Sequence, residues 1–442
     1  MVPERDAPTS GWRMLGVIVS CGIVPLILLF GMVDSRRMPN GQFGPWTLFL
    51  IVGGVAVAVG VPLALKAGAW ARTSRPGRWL VATFAALIAW GIVSGLTHVQ
   101  VAYERLGSRG SVVVPHAYVL VPMLSALIAC LTGWAVAHAV ERQLLPALLA
   151  SVGWAVLAVV AVALARMAIS GTWGQRLNTP LAGAASVHVA LLLGAAGFLG
   201  LAAAGRARAV NVTAACASLL GLFLTASRAG VASAGVLLLV LLLRWRPRRH
   251  AVAFRLALGG VAVVAVVGLA VLHPEFSRLL SLTDEYRARN TETGLAAVSQ
   301  NLVTLLFGTG EATMWPWMAY ESALVHLEPD WDLWTPFGPV LPNPHSTYLW
   351  AFVELGGVGL VLLLAALWPV VRGGLRRGLP PLVAPLAMAL LLSLVSFSTD
   401  THLVKNFPVA LVWWFGAFVL VRVITEDDGA GAEVPVEERK RS

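Results

Sequence analysis

Apolar runs of about twenty residues, each long enough to cross a lipid hydrocarbon core as a helix, recur from one end of this chain to the other. Read against their polar breaks, they fall near 12–33, 45–65, 79–99, 112–139, 144–168, 179–204, 209–226, 229–244, 251–272, 346–371, 380–398 and 405–423. Inside hydrocarbon no water pairs with the backbone, so each run must close its own hydrogen bonds as a helix or join a closed barrel. Runs of this length select the helix. The expectation is an all-α integral membrane protein with about twelve transmembrane helices. A mean hydropathy of +0.78, with 58% hydrophobic and 12% charged residues, excludes an ordinary soluble domain.

Charge gives the orientation. Lys66, Arg72, Arg75 and Arg78, then Arg206 and Arg208, the cluster RWRPRRH at 244–250, and Arg372, Arg376 and Arg377 all fall on one side if the spans alternate. Lys and Arg concentrate on the cytoplasmic side of membrane proteins, so both termini are expected to be cytoplasmic. The first apolar run is followed by LLFGMVDS, with no small-x-small cleavage pattern, and reads as a retained helix. A sequence pI of 10.3 would suit nucleic-acid binding. Here the bases sit in short loops beside helix ends, where they serve topology and contact with membrane lipids, and no nucleic acid is implied. Cys21, Cys130 and Cys216 lie inside apolar runs without paired or metal-ligand spacing.

One aqueous segment is long. Residues 273–344 separate spans 1–272 from spans 345–425, and a polar Gly/Ala-rich tail, 426–442, is expected to be a disordered cytoplasmic end. The charge pattern puts the long loop on the outer, periplasmic face. Within it, 295–306 has apolar residues at helical spacing and ends at Gly308 and Gly310. Trp315, Trp317, Trp331 and Trp334 read as membrane-interface anchors, with sugar stacking as the alternative. HLEPDWDLW at 326–334 holds His326, Glu328, Asp330 and Asp332, a pattern that carbohydrate enzymes use for Mg²⁺ or Mn²⁺; an acidic loop is the commoner reading, and no metal is expected.

Between Val210 and Leu243 there is a single charge, Arg228, in LFLTASRAGVASAG. One helix of that length would be roughly 51 Å, against about 30 Å of hydrocarbon. Basic flanks at both ends place both ends on the cytoplasmic side, so two short spans must turn at Ser227–Gly230 on the outer face. Arg228 then stands at the outer interface. An arginine there either snorkels to headgroups or binds a phosphate, for which its permanently charged, forked donors are suited.

TASRAG at 225–230, LFGTG at 306–310 and PHSTYLWAFVELGGVGLVLLL at 344–364 are together similar to the O-antigen ligase and polymerase superfamily, and NTPLAGAASVHVA at 178–190 resembles a further segment of it. The family pattern is an SR-G turn, an outer loop with an arginine, a helix and a G-x-G, then HN-x-YL followed by E-x-G-x-x-G. Ser346 stands where the family usually has Asn. Arg287 and Arg289 both fit the loop arginine, with spacing back from Gly308 favouring Arg289.

The resemblance implies a GT-C-type glycosyltransferase of the bacterial inner membrane. It would move a glycan from undecaprenyl diphosphate to lipid A–core oligosaccharide at the periplasmic face, with no cofactor. Polymerisation of repeat units or protein O-glycosylation are alternatives within the superfamily; a transporter of lipid-linked sugars or small anions is the alternative outside it. The expected site has His345 as general base, oriented by Ser346 or Asn343, with Arg228 and Arg289 on the diphosphate. Arg287 is the competing loop arginine. Arg166 and Arg176 would extend the anion site. Asp400, His402 and Lys405, in the last outer turn, would line the acceptor entrance. His98, His116 and His188 read as packing residues. A single displacement inverting the anomeric centre follows, since no nucleophile motif is present.

Overall fold

The computed structural model describes residues 44–66, 68–98, 101–103, 111–172, 175–179, 183–244, 284–321 and 333–432, with isolated positions between 22 and 28. The expected spans 12–33 and 251–272 thus lie largely or wholly outside the described residues. The remainder is overwhelmingly helical.

The N-terminal half contains α1 (Gly44–Lys66), α2 (Ala69–Arg72), α3 (Arg75–Thr97), α4 (Ala117–Ala139), α5 (Leu145–Ser170), α6 (Ala184–Ala203), α7 (Arg208–Leu224) and α8 (Arg228–Arg244). The outer loop contributes α9 (Glu285–Val298), α10 (Leu302–Phe307) and α11 (Trp317–Glu321). The chain returns to the bundle through α12 (Thr347–Val353), α13 (Gly356–Gly374), α14 (Ala384–Ser396), α15 (His402–Lys405) and α16 (Phe407–Ala432). Six helical segments among the described residues are long and apolar enough to cross a membrane: Arg75–Thr97, Ala117–Ala139, Arg142–Ser170, Ser186–Ala203, Gly356–Gly374 and Phe407–Asp428. Helices α7, α8 and α14 are apolar but shorter.

Helix α16 is the centre of the bundle. Its apolar window is 94% buried, against 39% for α3 and α13, which leaves those two facing outward. Trp413, Trp414, Phe415 and Phe418 are at most 2% exposed and fill the middle. In hydrocarbon, burial of this kind is gained by packing rather than by escape from water.

The architecture is the expected all-α one, with two short hairpins between helices: Val101–Tyr103 (β1) pairs antiparallel with Ser111–Val113 (β2), and Leu333–Thr335 (β3) with Gly338–Val340 (β4). Three expectations are corrected. The single loop helix expected over 295–306 is two helices. The first begins ten residues earlier, N-capped by Asp284. It ends at Val298, and Asn301 starts α10 with a reciprocal capping box to Thr304. The expected span 346–371, the first after the outer loop, is broken at Glu354–Leu355 between α12 and α13. The tail does not leave the bundle at Glu426: α16 runs to Ala432, where Glu426 pairs with Arg422 at 2.7 Å, Asp427 with Arg142, and Asp428 with Arg376 at 2.5 Å.

Candidate functional site

The turn between α7 and α8 is built from small polar residues. Ala226 takes the left-handed conformation (φ 48°), letting the chain reverse within three residues. The Ser227 hydroxyl accepts the Gly230 amide at 3.2 Å and caps α8. Beneath it, His188 on α6 shares hydrogen bonds with Ser227 Oγ (3.2 Å) and Ser396 Oγ (3.1 Å). A Cβ on Gly230 would lie 2.8 Å from His188 Cβ, so the glycine admits the imidazole. Arg228 is thereby fixed as the first residue of α8.

Opposite this turn stands the start of α9. Asp284 Oδ1 accepts the Arg287 amide at 3.3 Å, while Oδ2 lies 3.3 Å from Arg287 Nε and 3.6 Å from Arg228 Nη2. Two guanidiniums from distant parts of the sequence thus meet at one carboxylate. Arg287 Nη1 also donates to the Thr399 carbonyl at 3.1 Å, tying α9 to the turn after α14.

One turn along α9, Asn290 is 1% exposed. Its Oδ1 accepts from Trp315 Nε1 (2.8 Å) and the Leu341 amide (3.0 Å), and its Nδ2 donates to the Pro344 carbonyl (3.2 Å). One amide therefore holds the strand of chain that delivers His345.

His345 adopts φ 50°, the left-handed region, with its amide donated to Asn343 Oδ1 at 3.0 Å. Its Nδ1 is buried and has no hydrogen-bond partner among the described residues. Ser346 accepts the Leu349 amide at 3.2 Å and is the N-cap of α12. Neither neighbour therefore orients the ring: Asn343 shapes the backbone and Ser346 starts the helix. Burial pulls the His345 imidazole down to about 4; Arg287 and Lys405 push the same way, against Asp400 and Asp284. It is neutral at pH 7.

Asp400 is 6% exposed and accepts from the Ser186 hydroxyl and from the Thr401 amide (2.8 Å). Its burial would raise the carboxyl, but His402, Lys405, the Ser186 bond and His345 outweigh it and hold the group at about 2. Thr347, beside the histidine, donates Oγ1 to the Asp400 carbonyl at 3.0 Å. Lys405 Nζ lies 5.6 Å from the Trp317 ring.

The motif glycines meet behind this cluster. The Gly310 amide donates to the Glu354 carbonyl at 3.0 Å, and a Cβ on Gly308 would sit 2.1 Å from that oxygen. Gly356, at φ 72°, faces Gly308 just as closely. The Glu354 carboxylate accepts the Met314 and Trp315 amides at 3.1 and 2.9 Å. The G-T-G and E-x-G segments are one backbone-to-backbone junction.

The family model described as O-antigen ligase matches residues 213–364. That segment, about a third of the chain, is similar to an O-antigen ligase domain. No curated protein matches the chain.

The matched segment carries Arg228, Asp284, Arg287, Asn290, His345 and Glu354. Ser186, Asp400 and Lys405 reach the same cluster from outside the matched residues. Of the residues expected from sequence, the structure brings together Arg228, Arg287, His345, Asn343, Ser346 and Lys405. It does not bring Arg289 to them: its side chain is 52% exposed, 3.7 Å from Glu285 and 5.5 Å from the Tyr286 ring. Arg176 donates Nε to the Thr225 carbonyl at 3.0 Å and so braces the α7–α8 turn from behind. Arg166 is exposed near the end of α5. Trp315 and Trp317, expected as interface anchors, are 0% and 2% exposed and pack inside the protein. Most of the 326–334 stretch lies outside the described residues. Asp284 and Asn290 were missed; an Asp three residues before an arginine-bearing helical turn was the available signal for the first.

Proposed function

We propose that this integral membrane protein is a glycosyltransferase of the O-antigen ligase type, acting from undecaprenyl-diphosphate glycan to lipid A–core oligosaccharide at the periplasmic face. The observation that carries the reading is the convergence of Arg228 and Arg287 on one anion seat, within electrostatic reach of a neutral, half-buried His345. A lipid diphosphate brings its own leaving group. The work left to the protein is to hold that group, stabilise the charge it gains, and take a proton from the acceptor.

In the proposed step the acceptor hydroxyl gives its proton to His345, its oxygen bonds to the anomeric carbon, and the bond to the diphosphate oxygen breaks. The electron pair leaves with the diphosphate, whose charge the two guanidiniums take up; a single displacement inverts the centre. General-base help of this kind contributes about 10²–10⁴ in rate. Charge stabilisation by pre-positioned donors contributes about as much per donor. A bound diphosphate adds negative charge beside His345 and raises its pKa, making the imidazole a stronger base only once the donor is in place. Two guanidiniums already neutralise the leaving group, so a divalent cation is redundant.

Purified protein supplied with undecaprenyl-diphosphate glycan and lipid A–core tests this. Transfer that persists in EDTA, and is lost in His345→Ala and Arg228→Ala, is expected. Product in which glycan joins glycan on the lipid carrier would instead make it a polymerase. Absence of transfer to any acceptor, with anion flux in vesicles, would overturn the enzyme reading.

A further inference from the structure

We propose that the Asp284 carboxylate occupies the seat of the donor diphosphate in the empty enzyme, and that the donor binds by displacing it. The inference rests on the function proposed above and concerns the same site.

The contacts of Asp284 are those of an anionic ligand. Oδ2 is shared between Arg287 Nε at 3.3 Å and Arg228 Nη2 at 3.6 Å, and Oδ1 takes the Arg287 amide at 3.3 Å. Two cations and one N–H therefore surround a single carboxylate, a donor set that fits phosphate oxygens equally well. The grip is loose. All three distances are long for charge-assisted bonds, and the side chains are 30–36% exposed, where water screens them. A diphosphate, with more charge and more oxygens, would outcompete it. The seat also survives the departure of Asp284, because Arg287 Nη1 is separately held by the Thr399 carbonyl at 3.1 Å and Arg228 by its place at the head of α8.

Capping alone does not call for an aspartate. Asn and Ser cap a helix about as well, so a purely structural role would be indifferent to the charge. The charge matters to the two arginines: it holds them in register while the site is empty and lowers the fraction of molecules ready to take the donor. Apparent affinity falls by that fraction. Asp284 is thus a positioning residue, acting through Arg228 and Arg287.

The test uses the full chain in detergent, with inorganic pyrophosphate as the probe in titration calorimetry. Asp284→Asn keeps the cap and removes the charge; it is expected to bind pyrophosphate about tenfold more tightly than wild type. Asp284→Ser, a second capping variant, should do the same, and Arg287→Gln should weaken binding. In the transfer assay Asp284→Asn should lower the donor KM by a similar factor without raising kcat. Binding by either capping variant that is equal to or weaker than wild type, with an unchanged melting temperature, overturns the proposal, as does no pyrophosphate binding to any form. Wild type that binds pyrophosphate but transfers no glycan would sink the proposed function while leaving the displaced carboxylate standing.

Discussion

Arg287 and Arg289 sit two positions apart on α9, so a helix turn of about 200° separates their directions. One points to Asp284, Thr399 and the Arg228 turn; the other to Glu285 and the face of Tyr286. Arg287→Ala should therefore lower kcat about 10²–10³-fold, the loss seen when a charge-stabilising donor is removed. Arg289→Ala should stay within about threefold, as for an exposed ion pair. Equal losses in the transfer assay would show that both touch the donor. Spacing from Gly308 pointed to Arg289, because sequence distance along a loop does not report which side of a helix a residue occupies. His345 carries a second prediction at this scale. Its pKa is depressed to about 4 in the folded protein, so the neutral base persists below the ordinary value of about 6.5. The kcat/KM profile, which reports the free enzyme, should lose activity on the acid side near pH 4. The kcat limb should lie higher, since bound diphosphate raises the imidazole. The same shift contributes stability that is fully present above pH 6.5 and lost as pH falls through about 4. A kcat/KM limb at 6.5 in wild type would mean that His345 is more exposed in the working enzyme than its packing indicates.

The short elements explain why particular residue types stand at the motif positions. Ser346 replaces the usual Asn, and its hydroxyl caps α12 through the Leu349 amide. Asn and Ser are close to equivalent N-caps, so the departure leaves the element intact. Ser346→Asn should change the melting temperature little and keep activity, whereas Ser346→Ala should cost about 1 kcal/mol of stability. A large loss in Ser346→Asn would place the hydroxyl on substrate instead. The α7–α8 hairpin was legible, because a charge in a long apolar run, flanked by bases at both ends, leaves little choice but a turn. The break between α9 and α10 was not. Its cause is a capping box at Asn301 inside a segment whose apolar spacing runs on through it. Asn290 was illegible for a different reason: nothing local marks a polar residue whose four bonding positions are taken up by Trp315 and by chain fifty residues away.

At the scale of the whole molecule, the site is a meeting of chain segments at one end of the helix bundle. The 225–230 turn, the start of α9, the approach to α12 and the 397–406 turn are joined by His188–Ser396, Arg228–Asp284, Arg287–Thr399, Thr347–Asp400 and Ser186–Asp400 contacts. The opposite end carries its own set, Arg422 to the Ala137 and Val140 carbonyls at 2.6 and 2.7 Å and Arg376 to Asp428. Helices could be read one by one because each must satisfy its own backbone; their convergence could be read only as sidedness. That sidedness is directly testable. In a background with Cys21, Cys130 and Cys216 replaced by Ser or Ala, Glu292→Cys on exposed α9 and Arg208→Cys at the exposed start of α7 mark the two ends. A membrane-impermeant maleimide that has passed a permeabilised outer membrane should label Glu292→Cys in intact spheroplasts and reach Arg208→Cys only after lysis. The reverse pattern would put the arginines and His345 on the cytoplasmic side, where the periplasmic acceptor is absent, and the proposed reaction could not be the one this protein performs.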